Sequence, residues 1–249
     1  MRTLTLLLCL AISAGAALSD KELESIGRRV WQNECGGTRD GLTSWNAGEN
    51  FASLGIGHFI WYPKGMRGPF EESFPKLAVF LGKHGAKTAD WMTGDCPWNS
   101  RAEFQKDFRS TRMNELRDLL ASTVPLQSRF LAMRMEEALP KMLNAAPASE
   151  RERIRENFQR LAATGAGTFA LIDYVNFKGE GTKAEERYKG EGWGLLQVLE
   201  HMPQGEKPVS AFAKSAAEML ERRVRNSPPE RNEAKWLPGW KSRVRSYAE

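Results

Sequence analysis

A change of period at Cys35-Gly36-Gly37 constrains this chain more than any other feature. Before it, Leu23, Ile26 and Val30 recur at helical spacing, and Glu34 falls four residues beyond Val30 on the same face. The glycines stop that pattern as a helix C-terminus does. After them, Leu42-Thr-Ser-Trp-Asn46, the turn residues Ala47-Gly-Glu-Asn50, and Phe51-Ala-Ser-Leu-Gly-Ile-Gly-His58 read as a β-hairpin. The fold must therefore close a small hairpin over the end of an amphipathic helix, with Glu34 at the junction.

That position has chemical meaning. Burial and the negative end of a helix dipole both disfavour an ionised carboxyl, so Glu34, pointing inward, is read as a general acid. Gly55 and Gly57 leave room for another chain, or a sugar, to approach the backbone.

Glu34, the hairpin and Ser53-Leu-Gly-Ile-Gly-His58 together resemble the phage-lysozyme (endolysin) family, whose core motif is a helix-terminal Glu, an Asp on the hairpin and Thr-x-Gly-x-Gly-His. The resemblance implies the lysozyme superfamily fold: α+β, mostly α-helical, with a small β-hairpin lobe and, in this chain, extra helices. It also implies hydrolysis of peptidoglycan between its alternating amino sugars. Asn46 stands where the family has Asp if the first strand is matched, and Ala47 does if residues are counted back from Gly55. The carboxylates that remain for the second catalytic role are Glu49, three residues on in the turn, and Asp40, before the strand. Ser53 keeps the hydroxyl of the family's Thr and is a candidate for holding a water. Phe169-Ala-Leu-Ile-Asp-Tyr-Val-Asn-Phe-Lys-Gly-Glu-Gly181 is similar to the family's apolar helix and the turn after it, and the basic segment ending Lys241-Ser-Arg-Val-Arg-Ser-Tyr247 is similar to its Arg-rich closing helix.

Residues 1–16 carry one basic residue, an apolar run and Ala14-Gly-Ala16, the pattern of a secretory leader cleaved after Ala16. The run is too short to span a bilayer. Residues 17–249 are then expected as one lysozyme-like domain with a helical insertion around 70–147, exported to the periplasm or the medium, monomeric and without stable membrane insertion. Outside the leader only Cys35 and Cys96 remain, and an oxidising compartment favours a disulfide between them over two separate thiols. His58, His84 and His201 have no paired ligand spacing, so no metal and no cofactor is expected. A net charge of +5 suits an anionic polymer such as the cell wall and counts against a cationic one such as chitosan. Nucleic acid is disfavoured, because the arginines of residues 150–160 alternate with glutamates.

Along the rest of the chain, Ser19-Asp-Lys-Glu22 is a capping box for the first helix. A short helix near 74–82 is expected to pack Leu77, Val79, Phe80 and Leu81. A loop follows, carrying Trp91, Cys96 and Trp98, and then one long helix from about Ser100 to Ser122. Pro125 opens the next helix, which Pro140 should kink or end. Ser149-Glu-Arg-Glu152 caps another; Gly165-Ala-Gly167 breaks the pattern before a buried helix over 168–177; and further helices are expected after Trp193, over 211–226 and near the C-terminus.

Trp45, Phe51, Trp61, Tyr62, Trp91 and Trp98 concentrate aromatic rings around the proposed cleft, and two of the six are expected to meet sugar faces. The predicted site is therefore Glu34, Glu49, Ser53 and Asp40 for chemistry, with Trp45, Asn46, Phe51, His58 and Trp61 for substrate. For His58, a purely structural role under the hairpin is the favoured alternative. The rival functions are a non-catalytic wall-binding protein of lysozyme fold, a chitosanase, or a lytic transglycosylase that uses Glu34 alone.

Overall fold

The structure, a computed structural model, describes residues 18–249, so the expected leader lies outside the described residues. α1 (Asp20–Cys35) starts where the sequence requires. The Ser19 hydroxyl accepts from the Glu22 N–H, and the Glu22 carboxylate accepts from the Ser19 N–H at 2.9 Å. That reciprocal cap satisfies donors a helix start otherwise leaves open. At the other end Gly36 takes φ 61° and its N–H returns to Gln32 O, a left-handed exit that a side chain opposes. Leu23, Ile26 and Val30 are all buried.

A 3-10 turn (Asp40–Leu42) leads into β1 (Thr43–Ser44), β2 (Ala52–Leu54) and β3 (Phe59–Trp61), an antiparallel meander in that order. The expected hairpin is present as β1 and β2, with shorter strands than the sequence suggested. Gly55 to His58, read from the sequence as strand, is instead the turn into β3. Gly55 (φ 73°) and His58 (φ 48°) both adopt the left-handed region there. Ala52 and Leu54 are fully buried, and strand alternation puts Ser53 on the other face beside its cross-strand partners Ser44 and Ile60.

α2 (Phe74–Lys83) buries Leu77, Phe80 and Leu81 but leaves Val79 43% exposed, contrary to expectation. The single long helix predicted near 100–122 is two, α3 (Arg101–Asp107) and α4 (Thr111–Ser122). Ser110 causes the break, since its hydroxyl accepts from the Met113 N–H and starts a new helix. Arg117 of α4, fully buried, holds the joint by donating to the Phe108 carbonyl at 2.8 Å and to the Thr43 hydroxyl at 2.7 Å.

α5 (Val124–Ala145) runs through Pro140 instead of ending there. Pro140 and Glu136, whose carbonyl loses its helical donor, both lie on exposed positions, so the orphaned carbonyl is not buried without a partner. α6 (Arg151–Ala162) precedes α7 (Gly165–Lys178), which is buried on most of its surface as predicted. The glycines expected to break the pattern instead form the first turn of α7. A Cβ on Gly167 would sit 2.1 Å from the Leu161 carbonyl, so the two helices meet where only glycine fits.

A second small sheet, β4 (Arg187–Tyr188) and β5 (Glu191–Gly192), leads to α8 (Leu195–His201), α9 (Pro208–Asn226) and α10 (Leu237–Arg245). Among the described residues, each of the ten helices sends buried side chains into one continuous apolar core that runs from Ile26 to Tyr247. α5 packs against α1, α2, α6 and α7. The architecture is mostly helical α+β with two small antiparallel sheets. Among the described residues no helix is long and apolar enough to cross a membrane.

The disulfide expectation is corrected, because Cys35 and Cys96 are free, buried thiols. Each is turned to a local carbonyl, Cys35 Sγ to Gly55 O at 3.5 Å and Cys96 Sγ to Trp98 O at 3.4 Å. Burial pushes both thiols up to about 12, which removes the reactive thiolate. Native protein at neutral pH should therefore resist iodoacetamide at both positions, while denaturant without reductant exposes two alkylatable thiols by mass. A disulfide would leave both unlabelled until reduced.

Candidate active site

Glu34 sits in the last turn of α1, where the helix meets the three-stranded sheet, with its side chain 15% exposed. Three other elements reach it. Arg243 of α10 donates through Nη2 to Oε1 at 2.5 Å, and Asn176 of α7 approaches the same oxygen at 3.4 Å. His58, in the turn after β2, places Nδ1 3.6 Å from Oε2.

Arg243 is itself anchored. Asp173, fully buried on α7, accepts from Arg243 Nε and Nη2, both at 2.8 Å, from Asn33 at 3.1 Å and from the Tyr247 hydroxyl at 2.6 Å. The Arg243 guanidinium also lies 4.1 Å above the Phe177 ring. Burial alone would ease the proton off Arg243, but the hydrogen bonds and charge of Asp173, then the charge of Glu34, outweigh it and fix the cation. Tyr247 is held as a neutral phenol by burial and by the Asp173 charge.

Glu34, expected to point inward with its charge disfavoured by burial, instead belongs to a largely buried ion-pair network in which Arg243 meets one of its oxygens. The physical reason is α10, which returns to lay its arginine between Glu34 and Asp173. The network makes the two Glu34 oxygens unequal. Oε1 is occupied by Arg243 and Asn176, whereas Oε2 accepts no hydrogen bond among the described residues and faces only His58.

The other predicted residues divide. His58 is brought to Glu34, and its Nε2 is buried without a partner among the described residues, so it is not the bonded imidazole under the hairpin that the structural reading expected. Ser53 is buried on the β2 face shared with Ser44, whose hydroxyl donates to the Ser53 carbonyl at 3.4 Å. Glu49 remains in its turn, where Asn46 donates to its carboxylate at 3.1 Å and the Trp45 indole donates to its backbone carbonyl at 2.8 Å. Asp40 pairs with Arg109 at 2.9 Å and Arg117 at 3.7 Å, so its charge is committed to the α4 side of the sheet. Neither Asp40 nor Glu49 contacts Glu34.

Most of the six aromatic residues are core, as expected, but the three named for substrate, Trp45, Phe51 and Trp61, are among the buried ones and are corrected to core residues. Trp45, Phe51, Trp61, Tyr62 and Trp98 are buried; Trp61 lies 4.7 Å from Phe74 and 6.1 Å from Trp98 by ring centroids, as core packing. Local aromatic density near the glycine-rich turn reflected a core, and Trp45, Phe51 and Trp61 present no face to a ligand. Two pockets are lined by residues other than Glu34. One, about 510 Å³, is lined by Tyr62, Met66, Phe70, Lys76 and Asp95 among others; the second, about 300 Å³, by Arg187, Glu200, His201 and Arg222.

Sequence reasoning missed Asp173, Arg243, Asn33, Asn176 and Tyr247. A lone acid within the apolar run 169–177 was the available signal for Asp173, because a buried charge needs a partner. No protein-family model, no curated protein and no solved structure matches the chain.

Proposed function

We propose that the protein is an exported glycoside hydrolase of lysozyme type that cleaves the glycan strands of peptidoglycan, with Glu34 as proton donor. The observation that carries this reading is the asymmetry of Glu34 at the helix-to-sheet junction. One oxygen is fixed by an arginine that a buried aspartate holds in place, and the other accepts no hydrogen bond among the described residues and meets His58 at 3.6 Å. A general acid needs this division, because the anchored oxygen sets the orientation while the free one delivers the proton.

In this reading Oε2 protonates the glycosidic oxygen as its bond to the anomeric carbon breaks. Glu49, steadied by Asn46, takes a proton from the water that adds to that carbon, and Ser53 holds the water. Glu49 then releases its proton to solvent and the Glu34 carboxylate takes one up, which restores both groups. The positive net charge favours an anionic wall polymer, and the leader-like residues 1–16 favour a periplasmic or secreted location.

One observation favours a second reading, a wall-binding protein of the same fold without catalysis. Glu34 is ion-paired, and neither Asn46 nor Ala47 supplies the carboxylate the lysozyme pattern has there. Incubation with purified cell walls separates the two. The hydrolase releases soluble fragments with new reducing ends; the binding protein sediments with the walls and releases none. Chitosan in parallel tests the chitosanase alternative, and cleavage of chitosan alone would move the assignment there.

A further inference from the structure

Lys178, the last residue of α7, is 9% exposed and forms no ion pair or hydrogen bond among the described residues. Its amine rests on two aromatic rings, 3.8 Å from the Phe177 centroid and 3.4 Å from that of Trp240. Both rings also carry an arginine: Arg243 lies 4.1 Å from the Phe177 centroid, and Arg223 lies 5.1 Å from that of Trp240. A buried lysine without an acidic partner is costly, and this one sits in the same cluster as the carboxylate proposed as the acid.

We propose that Lys178 is a positioning residue for the Glu34 site, its amine sharing the Phe177 ring with Arg243 and deciding how readily Glu34 keeps a proton. The proposal rests on the reading of Glu34 as proton donor. The charged groups that act on the amine come from the elements around it: Arg223 from α9, Glu233 from the turn Glu233–Trp236, Arg243 from α10 and Glu34 from α1.

Without a charge on Lys178 the cluster balances. Two ion-paired sets make up the sum, Arg243 against Glu34 and Asp173, and Arg223 with Arg231 against Glu233, together three charges of each sign. Burial first, then the charge of Arg223, push the Lys178 amine down to about 6, so at neutral pH it is mostly uncharged. Below that value it adds a cation with no anion of its own. The added charge favours the ionised form of Glu34, which a general acid must not be. Lys178 is therefore a brake that engages on the acid side.

The test follows the Glu34 carboxyl by carbon NMR titration, with no substrate present, in the wild type, in Lys178→Met and in Lys178→Arg. Methionine removes the charge and keeps the chain length; arginine carries a charge that neutral pH cannot remove. The expected result is a Glu34 titration midpoint raised by about one pH unit in Lys178→Met, the size of a single nearby-charge effect, and left at or below the wild-type value in Lys178→Arg. On glycan, Lys178→Met should gain several-fold relative activity at pH 5 over the wild type, and Lys178→Arg should lose activity at pH 7. Unchanged carboxyl midpoints in both variants, with both folded by circular dichroism, would overturn the proposal. A protein inert on every glycan overturns only the hydrolase reading, because the titration needs no turnover.

Discussion

With Glu34 as the proposed proton donor, Glu34→Gln should lower glycan cleavage by about 10³-fold, within the range general acid catalysis contributes, and should leave the fold in place. The amide oxygen still accepts from Arg243 and Asn176, so orientation survives. What disappears is the acidic proton at the position of Oε2, because an amide N–H cannot be surrendered to a leaving oxygen. Arg243 keeps both hydrogen bonds to Asp173, and the cation is not stranded. Initial rates of reducing-end release from purified walls, beside circular dichroism and thermal melting of the same samples, measure both halves. An aryl glycoside whose leaving group departs without protonation, if turned over, should show a much smaller loss. Equal rates for the two proteins on walls would place the proton donor elsewhere.

The second large effect concerns what holds Glu34. Asp173→Ala costs about 3–5 kcal/mol of folding stability, the range for breaking a buried ion pair by removing one partner. Asp173 is fully buried and accepts four hydrogen bonds. Its removal leaves the Tyr247 hydroxyl without its acceptor and leaves Glu34 as the sole anion against Arg243. Urea unfolding should show the loss as a lowered midpoint at an unchanged slope, and cleavage should fall with it, since Arg243 no longer has a fixed position. Asp95→Ala is the control: its pairing with Lys64 is exposed on both sides, and the midpoint should stay where it is.

The sequence made the local features readable and left the long-range ones hidden. Both ends of α1 were written in short patterns, Ser19 with Glu22 at one end and Gly36 at the other, because caps depend on residues a few positions apart. The position of Glu34 followed from them. The pairing of Arg243 with Asp173, 70 residues away in sequence, has no local signature; the chain shows only an acid in an apolar run and an arginine in a basic tail. Ser110 illustrates a different limit, since a capping serine and an exposed one look alike until the helix break forces the choice. Pro140 shows that a helix breaker is decided by what surrounds the carbonyl it abandons. The aromatic residues misled for a related reason: a ring near a glycine-rich turn fits a sugar platform and a packed core equally well, and here the core took most of them.

The central claim is that this carboxyl donates a proton to a glycan. It is tested most directly by digesting purified peptidoglycan with the wild-type protein at several pH values and analysing the soluble fraction by mass spectrometry. The account predicts disaccharide-containing fragments whose masses match addition of one water per bond cleaved. Fragments lacking that water would mean the substrate's own hydroxyl completes the reaction instead of Glu49 and water, and walls left intact at every pH while the folded protein remains bound to them would contradict the claim outright.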